Sequence, residues 1–217
     1  MDELVQVTGF TLLMAAISSV VMLPLGISIA WVLARREFVG RALLETLVSL
    51  PLVVPPVATG LLLLKLLGRR GPIGIFLAPL GIEIVFTWKG VVIAMVVMGL
   101  PLLIRTARAG FEQADRRYEE VAATLGARPW RVFWTINLPL ARRSVLAGVV
   151  LGFSRAIGEF GATVMLAGAL PGTRTISVAI YRNAELGRDA AAMTLIAVSL
   201  TIGFVAVYFS NRLVRVQ

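Results

Sequence analysis

Long runs without charge dominate the chain. Leu4–Ala34 runs 31 residues without Asp, Glu, Lys or Arg, Ala190–Asn211 runs 22, and Thr46–Leu64 runs 19. A hydrocarbon core about 30 Å thick takes about 20 apolar residues per helix, so each run is long enough to cross a membrane. Two further runs are interrupted. Val91–Ile104 holds 14 uncharged residues before Arg105, and Ser144–Thr173 carries only Arg155 and Glu159. Spanning strands would alternate in polarity over about ten residues, whereas these runs are continuous. The pattern predicts an all-α polytopic membrane protein, a single transmembrane domain over 1–217. Its five spans lie near 8–34, 44–66, 90–109, 143–168 and 190–212. The acidic start, Asp2-Glu3, and the length of the first run suit a retained span rather than a cleaved signal peptide.

Composition agrees with lipid as the solvent. Hydrophobic residues make up 58% and charged residues 15%, against roughly 45–50% and about 25% in soluble domains. There is no Cys and no His. That excludes disulfides, Cys- or His-based zinc sites, thiol nucleophiles and Ser-His-Asp catalysis. No catalytic residue and no metal ligand is expected. Lys65 and Lys89 are the two lysines, followed by Leu66 and Gly90. Neither fits a P-loop, which needs Gly-Lys followed by Ser or Thr.

Charge then orients the spans. Arg35, Arg36, Arg41, Arg105, Arg108, Arg116, Arg117, Arg128, Arg131, Arg142, Arg143, Arg212 and Arg215 fall on one side. Lys65, Arg69, Arg70, Lys89, Arg174, Arg182 and Arg188 fall on the other. The richer side is expected to be cytoplasmic, with the N-terminus outside and the C-terminus inside. The net charge of +9 then reflects orientation, and no nucleic-acid partner is expected.

The stretch between the third and fourth spans, 110–142, is the most informative. Glu112, Asp115, Glu119 and Glu120 precede the small-residue run Val121-Ala122-Ala123, which favours helix. Gly126 stops that helix, and Pro129 suits the first turn of a second short helix carrying Trp130, Val132, Phe133, Trp134 and Ile136. Pro139 ends it or bends it into the next span. Such a hairpin either staples two spans together or offers Trp130 and Arg128 as anchors for a partner groove.

Glu120-Val121-Ala122, three residues, Gly126, nine residues and Ile136-Asn137-Leu138-Pro139 resemble the EAA loop of binding-protein-dependent ABC importer permeases, with Val121 where that family has alanine. The strings LPLVVPPVATG (50–60), GRRGPIG (68–74), FTWKG (86–90), SRAIGEFGATVMLAG (154–168) and LPGTRTISVAIY (170–181) look like the molybdate permease branch. The resemblance implies a type I ABC importer permease fold in the bacterial inner membrane. It implies a homodimer with two ATP-binding subunits and an external oxyanion-binding protein. ATP and Mg²⁺ would act on the partner ATPase, and no cofactor would be bound by this chain. Residues 119–139 would be the coupling loop, with Glu119, Glu120, Val121, Ala122, Gly126, Arg128, Trp130, Ile136, Leu138 and Pro139 as its functional residues. Glu120 would hold the loop against the ATPase. Molybdate is the expected cargo, with sulfate or tungstate as alternatives; an ion-coupled carrier centred on Glu159 is a rival class.

Within the spans, Arg155 and Glu159 stand at i and i+4, so they share a helix face and can pair. The pair reads equally as pathway residues or as a packing pair. Gly158, Gly161 and Gly168 surround it and permit a bent constriction in place of a plain span. Gly148 and Gly152 read as a packing pair. Pro51, Pro55 and Pro56 put a bend in the second span. Thr163 and Thr59, near the two breaks, are expected to give an oxyanion weak contacts.

Overall fold

The computed structural model describes residues 2–215. Met1, Val216 and Gln217, at the ends of the expected domain, lie outside the described residues. All regular elements among them are helical: α1 Asp2–Arg35, α2 Arg41–Val53, α3 Pro56–Leu67, α4 Pro72–Leu77, α5 Trp88–Gln113, α6 Arg117–Thr124, α7 Pro129–Val132, α8 Leu138–Ile157, α9 Gly161–Ala167, α10 Ile176–Glu185 and α11 Asp189–Arg215. A 3-10 turn, Ala78–Leu80, follows α4, and a π-turn, Phe133–Asn137, joins α7 to α8. Four helical stretches are long and apolar enough to cross a membrane, or five when the bent pair α2–α3 counts as one span.

The core is built on α5. Of its most apolar window 61% is buried, against 17% for α11, so α5 is central and α11 peripheral. Met95, Leu103, Ile104, Ala107 and Phe111 of α5 meet Met14, Met22, Ala30 and Leu33 of α1 and Ala141, Val145 and Ala156 of α8. A Cβ at Gly148 would lie 3.1 Å from the Leu103 carbonyl oxygen. The glycines of α8 therefore let it approach α5 closely.

Polar contacts fix the levels. Arg35 Nη2 donates to the Ala114 carbonyl (2.9 Å) and Arg116 Nη2 to the Ala34 carbonyl (3.3 Å), so α1 and α5 end at one face, the loop face. Glu45 pairs with Arg108 at 2.8 Å, and Arg105 donates to Ser49 at 3.1 Å, so α2 climbs back along α5 from that face. At the opposite face the Phe86 amide donates to the Leu166 carbonyl (3.0 Å) and the Ile176 amide to Thr11 Oγ1 (2.9 Å).

The expected bend of the second span and break in the fourth are present, while other boundaries move. The second span, 44–66, is broken: α2 and the following stretch Pro56–Leu80 turn by 116°. Pro55 and Pro56 supply no amide to continue the α2 ladder, whereas Pro51 sits inside α2 without ending it. In the fourth span, 143–168, the helix stops at Ile157 and restarts at Gly161. The third helix runs from Trp88 to Gln113, beyond the expected 90–109, so the loop starts within its last turn. Pro139 does not end the second loop helix. The π-turn lets the Leu138 amide reach the Phe133 carbonyl, which widens the turn ahead of the proline and relieves the clash with the preceding carbonyls. The chain therefore stays helical from Pro129 to Ile157.

Candidate functional site

Two assemblies hold the residues singled out in the sequence, one at the loop face and one at the paired breaks.

At the loop face, α6 ends in a Schellman arrangement. The Ala127 amide donates to the Ala122 carbonyl and the Gly126 amide to the Ala123 carbonyl, each at 3.0 Å. Gly126 has φ +78, which glycine adopts without the strain a Cβ would bring. Pro129 then occupies the first turn of α7. The resulting hairpin folds Val121 and Ala122 of α6, and Leu125 just past its end, toward Ile136, Pro139 and Leu140, lining an apolar groove of about 610 Å³. Residues on either side of the nine-residue gap in the EAA pattern, Val121 and Ala122 before it and Ile136 and Pro139 after it, thus share one surface. Leu125, Trp130, Val121 and Trp134 are exposed around it, as are Arg128 and Arg131.

Aromatic contacts tie the hairpin to the bundle. Phe133 packs edge-on against Trp31 of α1 (5.6 Å between centroids), against the fully buried Phe111 of α5 (6.4 Å), and stacks on Trp130 (6.1 Å). Each such pair contributes about 0.5–1.5 kcal/mol beyond the area it buries.

A polar network completes the attachment. Arg35, 5% exposed, pairs through Nε with Glu119 Oε1 at 2.8 Å. Asn137 is buried, and its amide is assigned so that Nδ2 donates to Glu119 Oε1 (3.1 Å) while Oδ1 accepts from Trp31 Nε1 (3.0 Å). Glu119 therefore joins both limbs of the hairpin to the end of α1. Glu120 points outward and is exposed, free to meet a partner. Sequence reasoning missed Trp31, Arg35 and Asn137. The signal for Asn137 was a polar residue inside Ile136-x-Leu138-Pro139, but its partners lie far away along the chain.

Neighbouring charges are largely committed to the scaffold. Arg41 pairs with Glu37 and, at 3.2 Å, with Glu45; Arg108 bridges Glu45 (2.8 Å) and Glu112 (2.7 Å). The hydrogen bond from Arg41 holds the Glu37 carboxyl below its ordinary value.

The second assembly lies where the α2–α3 and α8–α9 breaks meet. Arg155 Nη1 stands 2.6 Å from Glu159 Oε2, and Glu159 is 1% exposed. Its other oxygen accepts from the Ala162 amide at 2.8 Å. Glu159 thus closes the gap across Gly158 by holding the end of α8 to the start of α9. A Cβ at Gly161 would fall 2.8 Å from the Val57 amide nitrogen, and one at Gly60 would fall 2.7 Å from the Ala162 Cα. α3 and α9 therefore touch backbone to backbone. Thr59 and Thr163 are buried on these two helices. Thr59 Oγ1 reaches the Pro55 carbonyl at 3.5 Å, and Thr163 Oγ1 finds no hydrogen-bond partner among the described residues. No group of three His, Cys, Asp or Glu among the described residues is placed to hold a metal ion.

Apolar crossing helices, a two-limbed loop laced to the bundle and a broken central pair define a polytopic transport component, a class confirmed by comparison with known proteins. The chain belongs to the family described as binding-protein-dependent transport system inner membrane component, which matches residues 22–215. It is a multi-pass inner-membrane protein of that family. It is 42% identical over 215 residues to the molybdenum transport system permease protein ModB of Escherichia coli (strain K12), covering 98% of this chain and 94% of the relative. It is 37% identical over 206 residues to a probable sulfate transport system permease protein of Marchantia polymorpha, covering 94% of this chain and 72% of the relative. Among solved structures, the fold is similar to the MetNI methionine ABC transporter (TM-score 0.74, 16% identity, 99% of this chain and 96% of that one). It also resembles a bacterial ABC transporter that imports the acidic polysaccharide alginate (TM-score 0.71, 20% identity, 98% and 80%). The fold is that of type I ABC importer permeases.

Proposed function

We propose that this chain is the membrane subunit of an ATP-driven importer that carries a tetrahedral oxyanion, molybdate, inward by alternating access. The observation that carries the reading is the 42% identity to a molybdenum permease across 98% of the chain. The chain works as a two-fold homodimer, since helices of two bundles must face each other to enclose a pathway. Two ATP-binding subunits dock on the 119–139 hairpins. They hold the ATP and Mg²⁺ and perform the hydrolysis. A binding protein delivers the oxyanion on the opposite face. The loop face is cytoplasmic and the N-terminus external, as the excess of arginine favours.

ATP binding draws the ATPase subunits together and moves the hairpins. The Glu119 network carries that movement into α1, α5 and α8. The breaks at Val54–Pro55 and Gly158–Phe160 let α3 and α9 move relative to their parent helices. Arg155, Gly158, Glu159 and Gly161 form the gate, and Thr59 and Thr163 offer weak contacts that release the anion. This chain makes and breaks no covalent bond.

Reconstitution with the ATPase and binding protein tests the reading. Molybdate should stimulate ATP hydrolysis and accumulate in the vesicles. Hydrolysis unaffected by molybdate, tungstate and sulfate alike would overturn it. Sulfate is the second reading, favoured by the 37% identity to a sulfate permease. Stimulation by sulfate with none by molybdate would establish that reading instead.

A further inference from the structure

Residues 71–82, Gly-Pro-Ile-Gly-Ile-Phe-Leu-Ala-Pro-Leu-Gly-Ile, hold no charge, yet lie between helices rather than within a long span. A run of this length is too short to cross a bilayer and suits an interfacial or re-entrant segment. It folds as α4 and the 3-10 turn, and its apolar side chains are not used by the chain itself. Phe76 is 78% exposed, Leu80 69% and Ile75 56%. The segment instead borders an open cleft of about 1000 Å³ beside Leu64, Leu67 and Ile82.

We infer that this hairpin is an interfacial anchor, its apolar face set into the leaflet opposite the loop face among anionic phospholipids. Three features fix lipid as the occupant. First, both ends of the segment are tied to one membrane level. Leu64 and Leu67 at the end of α3 and Val85, just ahead of the start of α5 at Trp88, pack against one buried cluster, Ala94, Met98, Ala162 and Leu166, which holds both ends of the segment at that face. Second, the hairpin satisfies its own backbone, as insertion beside hydrocarbon requires. The Ile75 amide bonds the Gly71 carbonyl (3.0 Å), Gly81 bonds Ala78 (3.1 Å), and Ile82 bonds Leu77 (3.2 Å). Third, the surrounding charge suits phosphate headgroups. Lys65, Arg69 and Arg70 are exposed and Lys89 is half-buried, against one acid, Glu83, which Arg69 pairs with. Trp88, 47% exposed, stands where interfacial aromatics collect.

The natural absence of cysteine makes the test direct. Phe76→Cys and, separately, Leu80→Cys give one labelling site each for an environment-sensitive fluorophore, with Val39→Cys, fully exposed in the α1–α2 connection at the loop face and outside the hairpin, as the aqueous control. The labelled permease is assembled with its ATPase in phosphatidylcholine–phosphatidylglycerol vesicles, and retained ATP hydrolysis certifies folding. Because interfacial segments sit roughly 5–10 Å into the headgroup–acyl boundary, nitroxide-bearing lipids should quench positions 76 and 80 at least about threefold better than position 39. Aqueous iodide should show the reverse preference. Replacing phosphatidylglycerol by phosphatidylcholine should reduce the lipid quenching, because the cationic rim then loses its partners. Iodide quenching at 76 and 80 equal to that at 39 would overturn the inference. So would shielding from both quenchers, which would mark the hairpin as a contact with the second copy or the binding protein.

Discussion

The sharpest test of the loop's attachment is to remove the charge of Glu119. Arg35 is only 5% exposed and Glu119 25%, so Glu119→Gln leaves a nearly buried guanidinium without its counter-ion. Breaking a buried pair from one side costs about 3–5 kcal/mol. Arg35 keeps its bond to the Ala114 carbonyl, and the side-chain amide introduced by the substitution can still accept from Asn137. The expected loss is therefore about 3 kcal/mol, the low end of that range. Three of the four tryptophans, Trp31, Trp130 and Trp134, lie in the aromatic cluster beside the network, so intrinsic fluorescence during denaturant unfolding in detergent reports on this region. The double variant Arg35→Gln with Glu119→Gln removes both charges. It should be less damaged than the sum of the single variants, with a coupling energy of about 1.5 kcal/mol or more. In vesicles, Glu119→Gln should lower oxyanion uptake per ATP hydrolysed, because the hairpin moves without carrying α1. Additive single effects within about 0.5 kcal/mol, together with unchanged uptake per ATP, would refute the network as the mechanical link.

Other substitutions separate the roles of neighbouring residues. Glu120→Ala should leave unfolding within about 0.5 kcal/mol of the parent, as for an exposed site, yet weaken ATPase binding in a co-purification assay. Gly161→Ala places a methyl 2.8 Å from the Val57 amide nitrogen; it should force α9 off α3 and abolish uptake while the loop still binds ATPase. Glu159→Gln removes the counter-ion of Arg155 and should raise basal, substrate-independent hydrolysis several-fold as the break loosens, read by phosphate release without binding protein. Replacing both Thr59 and Thr163 by valine should lower the uptake rate; unchanged uptake would remove them from the pathway.

Local chemistry was the legible part of the chain. Charge-free runs marked the long helices, and Gly126 and Pro129 marked the hairpin turn, because turn geometry and lipid burial depend on neighbours in sequence. The i, i+4 spacing likewise foretold the Arg155–Glu159 pair. Partners fixed by the bundle were hidden. The EAA resemblance gave the holding role to Glu120; that Glu119 is the acid turned inward shows only once α1 brings Arg35 beside it. Pro139 was open between a helix end and a bend into the next span, because proline blocks an α-helical ladder. A π-turn just before it removes the conflict, and sequence periodicity does not register one inserted residue of winding. The charge-free stretch 71–82 drew no structural reading of its own, because what marks it is exposure rather than pattern.

The two assemblies are also held by different forces, and that difference bears on how they move. The hairpin is fastened by directional contacts: a charge pair, two hydrogen bonds from or to Asn137, and the Phe133 ring wedged among its aromatic neighbours. Such contacts fix orientation and tolerate little sliding, so the hairpin, α1 and the ends of α5 and α8 travel as one body. The α3–α9 contact brings backbone close at Gly60 and Gly161, and around them Leu63 and Leu64 pack on the cluster that holds Ala162 and Leu166, contacts that are apolar and non-directional. Each of these helices is joined to its neighbour through a break, at Pro55 or at Gly158. What spans the α8–α9 break is one carboxylate, Glu159, bonded on either side of it. In the proposed transport cycle, a movement entering at the hairpin would be taken up at these breaks, where the carboxylate would either keep its bond to the Ala162 amide or let α9 go.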